Sequence, residues 1–91
     1  MIIRSQDKYS IINFDGLDSV RISERRERGV IKEHYETDVY YSTKNEVGIL
    51  GTYSTEEKAI KVLDMICNAC RNTAFIDEKA VIFEMPQDSE V

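Results

Sequence analysis

Residues 51–59, reading Gly-Thr-Tyr-Ser-Thr-Glu-Glu-Lys-Ala, constrain the fold more than any other part of this chain. They join an apolar, β-rich run to residues 60–66, which have helical periodicity. Ser54 and Glu57 have capping-box spacing, in which the serine hydroxyl accepts from the Glu57 amide and the glutamate carboxylate accepts from the Ser54 amide. The sequence therefore predicts a strand that ends near Tyr53 and a helix that starts directly after it.

The remaining pattern predicts an α+β domain. Apolar residues at helical spacing predict one main helix over 55–72, with a broad face that packs on a sheet. β-Branched and aromatic runs separated by turn residues predict strands, and they fall at 2–6, 9–14, 17–22, 30–37, 38–42, 47–53 and 80–85. Residues 23–29 contain no apolar side chain and predict an exposed connection. We expect a single antiparallel sheet of about five or six strands packed on the helix, with the last strand after the helix.

Size and charge limit the functional classes. The chain has 91 residues, which predicts one domain over 1–91. A monomer of this size buries only roughly 60–65% of its unfolded surface, so we expect it to gain core by forming a homo-oligomer. The formal net charge of −5 argues against a protein that coats a nucleic acid polymer. It leaves a small anionic ligand open, because a few converging arginines can hold a phosphate on an acidic protein.

The chain start becomes polar after two apolar residues, and no run approaches the ~20 apolar residues of a membrane span. These features predict a cytoplasmic protein that does not contact membranes. We expect its thiols to be reduced there.

Reactive side chains are sparse. Cys67 and Cys70 have the spacing of a redox or half-zinc site, but they lie late in the predicted helix, where the helix dipole disfavours a thiolate. Both fall on the apolar face, so we interpret them as core residues. His34 is the only histidine and alternates with charged strand residues. With no catalytic constellation, no metal-ligand set and no phosphate loop, the sequence predicts a protein that is not an enzyme and has no cofactor.

Arginine and aromatic residues offer the remaining chemistry. Arginines make bidentate contacts with phosphate, and aromatic rings stack on a base. Each such residue is also compatible with a plain surface role. The predicted ligand-binding residues are Arg4, Arg28, His34, Tyr35, Arg71 and Asn72. His34 and Tyr35 alternate along one strand, so at most one of them lines the same pocket.

Three segments carry a resemblance to a known family. They are Ile-Arg-Ser-Gln-Asp at 3–7, the stretch 51–59 with Val62, Leu63 and Ile66, and Phe-Glu-Met-Pro at 83–86. In this order they look like a group of small phage and Firmicute proteins and resemble the Thoeris anti-defence sponge proteins of phages. The resemblance implies an oligomer that sequesters immune signals of the cyclic ADP-ribose type, or cyclic oligonucleotides, without cleaving them.

Two hypotheses follow. In the first, a phage anti-defence protein binds and sequesters a small nucleotide-like anion in the host cytoplasm. In the second, a phage protein blocks a host enzyme or defence protein through its acidic surface, since residues 77–91 carry five acids against one lysine. The resemblance favours the first.

Overall fold

The computed structural model describes residues 1–28, 33–73 and 82–91, with side chains over 1–25, 36–71 and 82–91. Its strands are β1 (Ile2–Arg4), β2 (Ile11–Asn13), β3 (Ser19–Arg28), β4 (Glu33–Ser42), β5 (Val47–Tyr53) and β6 (Ile82–Glu84). One α-helix, α1, spans Glu56–Thr73, and 3₁₀ turns occupy Phe14–Gly16 and Asp88–Glu90. This part of the chain has no helix long and apolar enough to cross a membrane.

The α+β class is confirmed, but the single sheet of five or six strands is wrong. The strands form two three-stranded sheets. The N-terminal sheet has the order β2-β1-β6, with β1 antiparallel to β2 and parallel to β6. The meander sheet has the order β3-β4-β5 and is antiparallel throughout. Strand runs along the chain do not reveal this division, because it depends on which distant segments pair.

Residues 23–28 of the charged segment, which was predicted as an exposed connection over 23–29, are instead part of β3, and residue 29 lies outside the described part. Ten residues of β3 pair with ten of β4, from Ser19–Ser42 to Arg28–Glu33. Arg25 lies across from Glu36, and its Nη2 donates to Glu36 Oε2 at 2.9 Å. Opposite charges on paired strands support a strand that lacks an apolar pattern. The predicted strands 30–37 and 38–42 are one strand from Glu33, and residues 30–32 lie outside the described part.

The helix prediction is confirmed within a residue at each end. Its capping box is wrong, because the Thr55 hydroxyl, not that of Ser54, accepts from a helix amide, that of Lys58 (3.2 Å). The Ser54 hydroxyl and amide both donate to Asp88 Oδ1, at 3.0 and 2.8 Å. The C-terminal segment therefore holds the start of α1.

The core lies between α1 and the inner faces of both sheets. Its buried apolar residues are Ile3, Val39, Leu50, Tyr53, Ala59, Val62, Ile66 and Met85. Side chains alternate across a strand, so Ile3 faces this core while Ile2 and Arg4 face outward. The predicted last strand overlaps β6, although residues 80 and 81 lie outside the described part.

Candidate binding cleft

The turn between β1 and β2 places a lysine beside Arg4. The Ser5 hydroxyl donates to Asp7 Oδ1 (2.6 Å), and the Tyr9 amide donates to the same oxygen (2.9 Å). These hydrogen bonds lower the pKa of the Asp7 carboxyl, the serine contributing most. Lys8 has a φ of +70°, in the left-handed region that favours glycine. The turn thus lies between the predicted strands 2–6 and 9–14.

Arg4 and Lys8 converge on Glu84 of β6. Lys8 Nζ donates to Glu84 Oε2 at 2.8 Å, and Arg4 Nη1 donates to Glu84 Oε1 at 3.3 Å. The hydrogen bond and charge of Lys8, followed by the bond from Arg4, lower the pKa of the Glu84 carboxyl. The carboxylate is therefore ionised at neutral pH, and the three side chains together carry one net positive charge.

Apolar side chains surround this charged group on the outer face of the N-terminal sheet. Register pairs Arg4 with Ile11 and with Glu84, and pairs Ile2 with Ile82. Together with Lys8 and Tyr9 these residues line a cleft of about 270 Å³. Tyr9 is 91% exposed, Ile11 72% and Ile82 60%. The arrangement can bind an anion at its cationic end and a flat or apolar group against the tyrosine and isoleucines.

Two of the other predicted site residues, Arg28 and Arg71, lie far from each other in the structure. Arg28 lies at the distal end of β3, paired with Glu33, and Arg71 lies in the last turn of α1. The hairpin runs nine residues from Arg28 to Ser19, or about 30 Å at strand spacing. Ser19 lines the groove formed by the late part of α1. Arg28 and Arg71 therefore lie at opposite ends of the meander sheet.

Arg4 and Arg71 are also on different sides of β1. Ile3 packs in the core with α1, so the neighbouring Arg4 faces away from the helix that carries Arg71. One chain thus does not gather Arg4, Arg28 and Arg71 into one pocket.

His34 and Tyr35 are placed in β4 by their backbone, as register partners of Glu27 and Arg26. Asn72 is placed in the last turn of α1. The side chains of His34, Tyr35, Asn72 and Arg28 lie outside the described part, so their roles as ligand contacts stay predictions. Tyr53, one of the other aromatic residues, is 1% exposed and serves the core.

Sequence reasoning missed Lys8, Tyr9 and Glu84 as neighbours of Arg4. In the sequence Lys8 is explained as a turn residue, and this explanation gives no reason to consider it as a ligand contact. Glu84 reaches Arg4 only through the parallel pairing of β1 with β6, which joins residues 80 positions apart. The sequence did offer one indication of an ordered turn, the Ser-Gln-Asp segment after Arg4, because its Ser5 and Asp7 make the hydrogen bonds of the turn.

The described residues contain no group of three or more His, Cys, Asp or Glu that could hold a metal ion. Comparisons of the chain with protein-family models, curated proteins and solved structures find no match.

Proposed function

We propose that this protein binds and sequesters a small nucleotide-derived signal in the cleft of Arg4, Lys8 and Tyr9, without cleaving it. The observation that carries the proposal is the convergence of two cations beside an exposed tyrosine and a wall of isoleucines. The biological setting comes from the resemblance to phage anti-defence sponge proteins. In that setting the ligand is an immune signal of the cyclic ADP-ribose type or a cyclic oligonucleotide.

In this scheme a phosphate of the ligand takes the place of the Glu84 carboxylate as the partner of Arg4 and Lys8. Exposed ion pairs are worth only about 0–1 kcal/mol, so transferring Arg4 and Lys8 from the carboxylate to a phosphate costs little. A phosphate oxygen accepts from the same donors and carries more charge than one carboxylate. The cations are therefore in position before the ligand arrives.

The backbone of Lys8 supports a role for its side chain. A left-handed conformation costs a residue with a Cβ about 1–2 kcal/mol, and glycine avoids this cost. A lysine here gains an ammonium group that reaches Glu84, at the expense of stability. We expect Lys8→Gly to preserve or raise stability while weakening ligand binding, since strain and cation are lost together.

The proposed assembly is a homo-oligomer. The cleft, at about 270 Å³, is just below the ~300 Å³ lower bound of typical ligand pockets, so a second copy over the same face would enclose more of the ligand. It would also cover Tyr9, Ile11 and Ile82, which otherwise remain in water. Light scattering should give at least twice the monomer mass of 10.5 kDa.

Calorimetric titration with a panel of cyclic ADP-ribose isomers and cyclic oligonucleotides tests the function. Arg4→Ala should weaken binding at least about tenfold, because a charge-assisted hydrogen bond contributes roughly 1.5 kcal/mol or more. Arg21→Ala is the matched control, since Arg21 is exposed on β3 and makes no ion pair with the described residues. Equal affinity of both variants would reject the cleft.

Glu84→Gln gives a test of opposite sign. Removing the carboxylate charge raises the net charge of the cleft from +1 to +2 while keeping similar shape. Affinity for a phosphate ligand should rise. A loss of affinity with an unchanged melting temperature would mean that Glu84 contacts the ligand itself, and would contradict the replacement scheme.

The second candidate is a protein-interaction inhibitor. The exposed apolar residues on the sheets, Ile11 and Ile82 with Val47 and Ile49, favour this class. Its acidic-surface version has less support, because Glu84, Asp88 and Glu90 of the C-terminal segment all make internal hydrogen bonds. Release of an intact nucleotide when the purified protein is heated would support sequestration. A calorimetric titration that shows no binding heat with any panel member would favour the inhibitor.

A further inference from the structure

A groove of about 500 Å³ lies between the late part of α1 and the segment that leads into β3. Cys67 and Cys70 both line this groove, but only Cys70 packs, partly buried, against the core. The prediction that both cysteines are core residues is therefore wrong for the exposed Cys67. The groove shares no lining residue with the cleft of Arg4 and Lys8, so it is a separate site.

The wall of the groove is mainly apolar. Its apolar side chains are Phe14, Leu17, Val20, Leu63, Ile66 and Cys70. Ile66 is 4% exposed and belongs to the core, and most of the others pack against that core, which holds the wall in place. The volume of the groove falls within the ~300–1,000 Å³ of typical small-molecule pockets, which combine an apolar wall with a few polar groups.

Asp18 supplies a polar group at this wall. Its backbone N–H donates to the Ser42 carbonyl at 2.8 Å, which fixes its position just before β3. In the part of the chain that the structure describes, the exposed Asp18 side chain makes no hydrogen bond or ion pair. The other acid of this segment, Asp15, lies 3.9 Å from the N-terminal ammonium group. The Asp18 carboxylate is therefore an acceptor without a partner among these residues, beside an apolar wall.

We propose that this groove binds a small molecule with an apolar body and a protonated amine, the body lying against the wall and the amine at Asp18. Removing the apolar body from water supplies most of the affinity. The carboxylate selects a cation, because charge-assisted hydrogen bonds are roughly twice as strong as neutral ones. The nucleotide cleft has two cations around Glu84, so the two sites select ligands of opposite charge.

Amide NMR titration of the full chain with phenylbutylamine tests the site. Phenylbutanol and phenylbutyrate are matched probes, since they have the same apolar body with a neutral and an anionic end. The amine should bind most tightly and the butyrate most weakly. With the amine, shifts should concentrate at residues 14–20 and 63–70, while residues 8–11 and 82–84 of the nucleotide cleft should not respond. A titration with the amine that gives no shifts at the groove overturns the proposal.

Asp18→Asn tests the contact with the amine. It should weaken binding of phenylbutylamine about fivefold, as expected for the loss of an exposed ion pair, and leave binding of phenylbutanol unchanged. Asp15→Asn is the matched control, because Asp15 does not line the groove, and it should leave both affinities unchanged. Equal affinity of the native protein for the amine and the butyrate, or of the native protein and Asp18→Asn for the amine, overturns the proposal.

Cys67→Phe tests the apolar wall. The larger side chain would fill part of the groove and should weaken binding of both the amine and the alcohol at least about tenfold, because less of the ligand leaves water. Met65→Phe is the matched control, since Met65 lies on the same helix, is 41% exposed and does not line the groove. It should bind both probes as the native protein does. Equal affinity of the two variants, with native circular dichroism in both, overturns the proposal.

Discussion

The meander sheet is built from strands of seven to ten residues, whereas each strand of the N-terminal sheet has three. Long strands supply many backbone hydrogen bonds from neighbouring parts of the chain. Three-residue strands supply few, so the N-terminal sheet depends on side chains from distant segments. The difference shows that a chain of this size can combine a locally determined scaffold with a region assembled by long-range contacts.

Gln6 is the main link between the two regions. Its backbone N–H donates to the Leu50 carbonyl (2.8 Å). Its side-chain amide accepts from the Thr52 N–H (2.8 Å) and donates to the Thr52 carbonyl (3.1 Å) and the Pro86 carbonyl (3.3 Å). The amide thus pairs with the edge of β5 much as another strand would.

The largest expected effect comes from the core that both regions share. Val62 of α1 is 0% exposed. Val62→Asp should unfold the whole domain, because an unpaired buried carboxylate costs several kcal/mol, comparable with the stability of a small domain. Met65→Asp, at an exposed position of the same helix, is the control. Native circular dichroism for Val62→Asp would contradict the shared core.

Removing the link between the two sheets should have a smaller effect on stability. Gln6→Ala removes three side-chain hydrogen bonds and should lower the free energy of unfolding by about 2–4 kcal/mol, at roughly 1 kcal/mol each. Gln87→Ala removes one exposed bond, from Gln87 Nε2 to the Gln6 carbonyl, and should cost about 1 kcal/mol or less. Urea unfolding measures both. Equal costs would mean that Gln6 is not the link.

Tyr53→Phe should cost about 1 kcal/mol, since the Tyr53 hydroxyl donates to the Pro86 carbonyl at 2.8 Å and Gln6 still supplies that carbonyl with a donor. Burial, followed by the nearby Asp88 and Glu90 charges, raises the pKa of Tyr53. A raised phenol pKa gives stability that is present below about pH 10 and is lost above it. The alkaline loss should therefore be weaker in Tyr53→Phe than in the native protein.

The smallest effect concerns acid. Hydrogen bonds from the Ser54 amide and hydroxyl, and from Lys58, lower the pKa of Asp88. A lowered pKa gives stability that is present above the ordinary value near 3.8 and is lost as the pH falls below it. Asp88→Asn should therefore lose less stability than the native protein as the pH falls, which thermal melts between pH 2 and 6 measure. If the variant and the native protein lose the same stability at low pH, Asp88 is not the acid-sensitive contact at the start of the helix.

Local sequence signals predicted the parts of the fold that depend on neighbours along the chain. Helical periodicity located α1, and turn residues separated the predicted strands 38–42 and 47–53. Between these strands the Thr43 hydroxyl accepts from the Asn45 and Glu46 amides. The charged half of β3 was missed because its strand character comes from pairing with β4.

The N-terminal sheet was harder to predict for the same physical reason. The side chain of Gln6 meets Thr52 and Pro86, which lie 46 and 80 residues away. Nothing in residues 2–6 indicates a parallel partner at the other end of the chain. Arg4 was predicted as a ligand residue, but the cleft around it exists only after that pairing.

The proposed division assigns ligand binding to the N-terminal sheet and a scaffold role to the meander sheet. Backbone amide NMR shifts during titration with a cyclic ADP-ribose isomer, and separately with a cyclic dinucleotide, test this assignment most directly. For the ligand that binds, the account predicts shifts concentrated at residues 2–11 and 82–84. Shifts concentrated in the β3–β4 hairpin or at the end of α1, with none at Arg4 and Lys8, would contradict it.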